Sequence, residues 1–181
     1  MLAWLVRRQI GAFERRWDYD MRYAREVLEG GGVGALLPMN ALARLSAFRR
    51  GVPVEPYFGA KITAAIEADC GPCAQLVVSD AERAGLDPAI IRAIVQGERD
   101  AAPEPARLGI DLARGTLRRD GSGDAAREEI VRRWGRRGLA AIAYGIVSAQ
   151  AFPTLKYALG HGRACIRVRV AGFDVAPRPM R

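Results

Sequence analysis

An all-α fold of about eight helices is what this sequence predicts, and three observations predict it. Apolar residues recur at three- and four-residue steps through most of the chain. Gly, Pro and Asp clusters interrupt those runs at intervals of one helix length. Strict alternation of apolar and polar residues occurs only near the C-terminus. The chain has 181 residues, half of them hydrophobic. A domain of that size buries roughly 70% of the surface of its unfolded chain. The expected organisation is a single helical domain over residues 1–164 and a C-terminal tail over 165–181.

The first helix is expected over residues 2–28, where Leu2, Val6, Ile10, Phe13, Trp17 and Met21 form one face between Arg and Glu residues. Gly30, Gly31 and Gly32 end it. A second helix follows Pro38, with Leu42, Leu45 and Phe48 on one side, and stops before Gly51 and Pro53. The third runs over 55–68 with Phe58, Ile62, Ala65 and Ile66 inward. The fourth opens at Cys70 and continues to Gly85. Asp69 is its expected N-cap, with Pro72 in the first turn, where a missing N–H costs nothing. Asp87 and Pro88 start the fifth as a cap followed by Pro at the first helical position. Residues 97–105 read as a loop, and three more helices follow over 104–119, 124–136 and 138–159. Pro153 predicts a kink or local break. Residues 165–170 alternate apolar side chains with Arg, as in a short strand, and the last residues, 176–181, read as disordered.

The net charge is +8 and the cations are nearly all Arg, Lys61 and Lys156 being the exceptions. It is unevenly spread. Residues 51–117 carry six basic and ten acidic side chains, and every flanking segment is net positive. The expectation is a solvated charged surface, with neither nucleic acid nor membrane as a partner. The first apolar run, 2–6, is too short for a secretory signal. The run over 139–152 falls short of about 18 unbroken apolar residues. With three cysteines and no disulfide framework, the chain reads as cytoplasmic.

The chemistry concentrates at Cys70-Gly71-Pro72-Cys73. Two thiols at this spacing can close a small disulfide, hold half of a metal site, or pack as an inert buried pair. A thioredoxin-like fold needs a strand before the first Cys and a β-α-β frame around it. The lead-in here is a helix. Zinc wants four ligands, and His161 and Cys165 are the remaining soft candidates.

The helical setting supports another comparison. The pair Cys70 and Cys73, then Ala81-Glu82-Arg83-Ala84-Gly85-Leu86, then the apolar stretch from Ile90 to Ile94, resembles the alkyl hydroperoxidase D and carboxymuconolactone decarboxylase superfamily. The resemblance is close over residues 55–97 and looser to about 160. It implies a helical bundle, a redox-active dithiol at Cys70 and Cys73, and assembly into homo-oligomers. It also implies a Glu–His relay that ionises a cysteine. Here Phe58 and Val77 stand where the relay's Glu and His would be, so a base must come from elsewhere. The candidates are Glu67, at the end of the preceding helix, and His161, the sole histidine. Tyr57 and Lys61 flank the Phe58 position and offer polarity. Cys70, in the first helical turn, is expected to be the more acidic thiol.

The function so expected is thiol–disulfide exchange supporting peroxide reduction. A peroxide or disulfide is the substrate and a dithiol protein is the electron donor. No organic cofactor or metal is required. The alternative is a non-catalytic helical module, for oligomerisation or binding, that keeps the fold without the relay.

Overall fold

A computed structural model describes residues 2–163 and 167–178. Helix α3 (Val54–Glu67) runs through the middle of it, and every residue from Pro56 to Ile66 is buried. Helix α6 (Glu104–Arg118) crosses α3 at close range. Gly59 and Gly109 permit this: a Cβ on either would strike backbone of the other helix, at Ala106 or Pro56. Helix α7 (Asp124–Ala158) covers another side of α3, and α4 (Gly71–Arg83) and α5 (Pro88–Val95) close one end.

Two helices lie outside this core. Helix α1 (Leu2–Trp17) and the first part of α2 (Arg22–Ala47) pack around a smaller apolar cluster of Ile10, Tyr19, Tyr23, Ala24, Leu28 and Leu36. An ion pair between Arg25 and Glu14 ties α1 to α2. The layer is pinned to the core by Arg83 of α4. Its guanidinium lies 3.9 Å from the centre of the Trp17 ring and donates to the Arg16 carbonyl at 2.7 Å.

The all-α expectation holds, with seven α-helices among the described residues in place of about eight. The expected helix over 2–28 is two helices, because Asp18 takes a left-handed φ of 48° and turns the chain. The glycine triplet does break the helical path, at Gly32 (φ 67°), but Pro38 lies inside the following helix and does not precede it. Likewise α7 breaks at Gly135 (φ 67°), and not at Pro153, through which the backbone stays helical. Glycine reaches positive φ without steric cost, so it marks the bend better than proline does. Within the expected 97–105 loop, Arg99–Ala101 form one 3-10 turn.

Asp69 does not cap α4. It adopts a left-handed φ of 47° that ends α3, and Cys70 is the N-cap residue, without a side-chain bond. The first amide of α4, on Gly71, donates instead to the Arg163 carbonyl at 3.0 Å. Asp87 caps α5 as expected, accepting from the Ala89 amide at 2.7 Å.

Strands β1 (Val168–Val170) and β2 (Phe173–Val175) form an antiparallel hairpin at the C-terminal end of the chain. Val168, Val170 and Val175 are buried in the main core. The Gln75 side chain of α4 fastens β1, donating to the Arg169 carbonyl and accepting from its amide at 3.1 and 2.6 Å. Residues 176–178 are not disordered, since the Arg178 amide donates to the Val95 carbonyl at 3.0 Å. Cys165, and part of the expected strand over 165–170, lie outside the described residues.

By length and composition α7 passes as a membrane span. Its apolar side chains have another use: Ala141, Ile142, Ile146 and Ala149 are buried in the protein core.

Candidate active site

The turn from α3 into α4 places the two cysteines. With Cys70 at the N-cap and Cys73 in the first turn, their Cα atoms are 5.2 Å apart, and the sulfurs are joined as a disulfide. The two sulfurs differ in surroundings. Cys70 is fully buried, whereas Cys73 lines a cavity of about 450 Å³ between the core and the α1–α2 layer. A cavity of several hundred Å³ is the size that small-molecule sites have. Cys70 is the thiol expected to be more acidic, but Cys73 is the sulfur that a molecule in the cavity would meet.

The cavity wall is mostly apolar, from Ile10, Phe13, Leu36, Met39, Leu76, Val77 and Phe152 among others. Gln9, Asn40, Ser46 and Ser148 join Tyr19, Tyr23, Lys61 and Asp80 as its polar side chains. Tyr19 carries its hydroxyl to 3.6 Å from the Cys73 sulfur, in a buried contact. Burial pushes this phenol well above its ordinary range, so it stays protonated and able to donate. The ammonium of Lys156, on α7, lies 4.6 Å from the centre of the Tyr19 ring and 5.3 Å from that of Tyr23. Burial lowers the Lys156 pKa, an effect the nearby Asp20 carboxylate opposes.

A second polar group of the wall is the pair Lys61 and Asp80. Lys61 is almost completely buried, and its Nζ donates to Asp80 Oδ2 and to the Ser46 carbonyl, each at 3.1 Å. Tyr57 donates to the same carbonyl at 2.7 Å. Desolvation lowers the Lys61 pKa, and the Asp80 charge acts against that. Lys61 follows Phe58 by three residues on α3, and Asp80 follows Val77 by three on α4. Residues three apart on a helix share a face. The polar pair thus stands one turn along from both apolar positions. At 1.5 Å per residue, Asp80 is roughly 10 Å along α4 from Cys73, too far to touch its sulfur directly.

The two candidate bases from the sequence are Glu67 and His161. Neither Glu67 nor His161 lines the cavity onto which Cys73 opens. His161 Nε2 is 2.8 Å from Glu26 Oε2, and its ring stands beside Tyr23. The Glu67 charge acts on Arg114 of α6. Tyr19 was missed by sequence reasoning, because it lies 54 residues from Cys73 and outside the stretch that carries the resemblance. A usable signal was present in the Asp18-Tyr19-Asp20 run: two turn-forming residues around a large aromatic break the helical pattern.

Among the described residues no group of His, Cys, Asp and Glu has the arrangement of a metal site. In comparisons with family models, curated proteins and solved structures, the chain matches none.

Proposed function

We propose that this protein is a thiol–disulfide oxidoreductase of the alkyl hydroperoxidase D-like type, reducing a peroxide or a small disulfide through Cys70 and Cys73. The observation that carries the reading is the position of the cystine. It sits at the start of a helix, with one sulfur sealed and the other on an apolar cavity of ligand size. A purely structural cystine gains nothing from such a cavity.

In the proposed cycle the Cys73 thiolate attacks the outer oxygen of a hydroperoxide. An S–O bond forms and the O–O bond breaks. Its electron pair leaves on the alkoxide, which takes a proton and departs as the alcohol. Cys73 is then a sulfenic acid. The Cys70 sulfur attacks Cys73, the S–S bond forms, and the oxygen leaves as water. A dithiol protein supplies two electrons and two protons to reopen the disulfide. The apolar cavity wall keeps bulk water from the thiolate, which makes fixed dipoles near it more effective.

The test is turnover. Reduced protein is given cumene hydroperoxide or hydrogen peroxide with dithiothreitol as donor, and peroxide loss is followed. Turnover is expected in wild type and in Cys165→Ser, and none in Cys73→Ser; in Cys70→Ser the Cys73 sulfenic acid still forms but no 70–73 disulfide closes, so that only dithiothreitol itself reduces it. If neither peroxide nor glutathione disulfide oxidises the pair, the reading fails and a binding module takes its place. One observation favours that second reading: Leu2, Trp4 and Leu5 leave the outer end of α1 apolar and exposed. A second copy of the chain is the proposed partner there, and light scattering of wild type against Trp4→Ser tests it.

A further inference from the structure

The proposed cycle needs a stabilised thiolate at Cys73, and the relay positions hold Phe58 and Val77, which move no proton. Four titratable groups besides Cys73 line its cavity, and two more, Lys156 and the Asp20 carboxylate, act on Tyr19. Tyr19 and Tyr23 come from the start of α2 and the turn before it. Lys156 comes from α7, Lys61 from α3 and Asp80 from α4. Of these, one has an atom within hydrogen-bonding reach of sulfur: the Tyr19 hydroxyl, 3.6 Å from Cys73 Sγ.

The chemistry of that contact depends on the state of the sulfur. A disulfide sulfur is a weak acceptor, and a thiolate is a strong one. The hydroxyl therefore contributes little while the disulfide is closed and much once Cys73 is an anion. Because the contact is out of water, no solvent molecule replaces it at equal strength. Lys156 adds to this, its ammonium standing 4.6 Å from the centre of the same ring. A cation over an aromatic face draws electron density inward, and so makes the phenolic O–H a stronger donor.

Resting on the redox function proposed above, we infer that Tyr19 is a catalytic residue that donates a hydrogen bond to the Cys73 thiolate, with Lys156 positioned over its ring to strengthen it. The α1–α2 layer, which lies outside the region of family resemblance, thus supplies the function that Phe58 and Val77 lack. Tyr19 acts without giving up its proton, since its burial keeps it neutral. The proton that leaves the Cys73 thiol goes to solvent through the cavity.

The experiment isolates Cys73 as the sole cysteine in a Cys70→Ser, Cys165→Ser background and follows thiolate absorbance against pH, with Tyr19 intact and as Tyr19→Phe. A hydrogen bond to a charged group stabilises it, so the substitution is expected to lower the Cys73 acid dissociation constant about tenfold, read as a shift of the thiolate absorbance curve to higher pH. In the intact dithiol, Tyr19→Phe is expected to favour the disulfide by up to about tenfold at pH values where Cys73 is ionised, which lowers the potential there by up to ~30 mV. Lys156→Met keeps the phenol and is expected to reduce the thiolate fraction by about threefold, which keeps the test decisive if Tyr19→Phe does not fold. Equal thiolate fractions in all three proteins, with a wild type that still cycles, overturn the role of Tyr19 and leave the redox function standing. A wild type whose 70–73 pair never cycles overturns both.

Discussion

Where α3 crosses α6, backbone meets backbone through Gly59 and Gly109; where α1 and α2 cover α4 and α7, side chains line a cavity of about 450 Å³. The first region is built from small residues and near-complete burial. The second is built from large side chains that do not fill their space, and it holds Tyr19, Lys61, Asp80 and Cys73. Protein interiors are close-packed as a rule, so a gap of this size between two otherwise buried surfaces marks where a ligand can enter. The core fixes the α3–α4 turn that carries the cysteines. The looser layer brings the group that contacts one of them.

The sharpest way to break this contrast is to add one methyl group to each region. Gly109→Ala puts a Cβ against the Pro56 carbonyl, where backbone must shift, and should cost about 3 kcal/mol, at the upper end of overpacking effects. A Cβ at Gly34, on α2, meets nothing within 4 Å, so Gly34→Ala should be neutral or slightly stabilising. Chemical denaturation of both variants checks the pair, and equal losses would contradict the contrast.

Next in size is the Lys61–Asp80 pair. Asp80→Ala leaves a buried ammonium without its counter-charge. Because the Asp80 side chain is 38% exposed, the expected loss is about 2 kcal/mol, below the range for fully buried pairs. The double variant Lys61→Met, Asp80→Ala removes both charges and should recover most of it. A double-mutant cycle without coupling would show that the pair is ornamental.

The same lysine gives a pH dependence. Burial lowers its folded pKa below the unfolded value, so the unfolded chain binds more protons in between. The Lys61 contribution is then fully present above about pH 10.4 and is lost as pH falls through the lowered folded value. Stability of wild type relative to Lys61→Met should therefore rise toward alkaline pH. Taking the difference removes the buried tyrosines, Tyr19 and Tyr57, whose raised pKa values act with the opposite sign above about pH 10. The smallest effect belongs to a surface feature of the core: Asp87→Ala removes the cap of α5 and should cost about 1 kcal/mol.

Much of the core was legible from the sequence because its signals are local. Asp87 and Pro88 start a helix, Gly85 follows one at φ 85°, and the apolar faces of residues 55–68 have helical spacing. The break expected between 136 and 138 lies at Gly135, within two residues, although the proline nearby attracted a second break that is absent. The α1–α2 layer was harder to read. Trp17 and Met21 continue the helical spacing across the Asp18 turn, and nothing in that spacing says the chain has reversed. Asp69 was misread for a related reason: a short acid before a helix suits a cap, but the same residue also tolerates the left-handed conformation that ends the helix before. The cysteine pair was visible at once. Of the polar groups around it, Lys61 was legible beside the Phe58 position, but Tyr19 and Lys156 were not, because they reach the site through tertiary packing, 54 and 83 residues away from Cys73.

A reversible dithiol at the seam between these two regions has a direct signature in solution. The folded protein is equilibrated across a series of glutathione redox buffers, quenched with acid, alkylated and mapped by mass spectrometry. A single two-electron transition confined to Cys70 and Cys73 is expected, with both thiols alkylated at the reducing end, a 70–73 disulfide at the oxidising end, and Cys165 alkylated throughout. A pair that stays alkylated in every buffer, or one that stays oxidised until the protein unfolds, would contradict it.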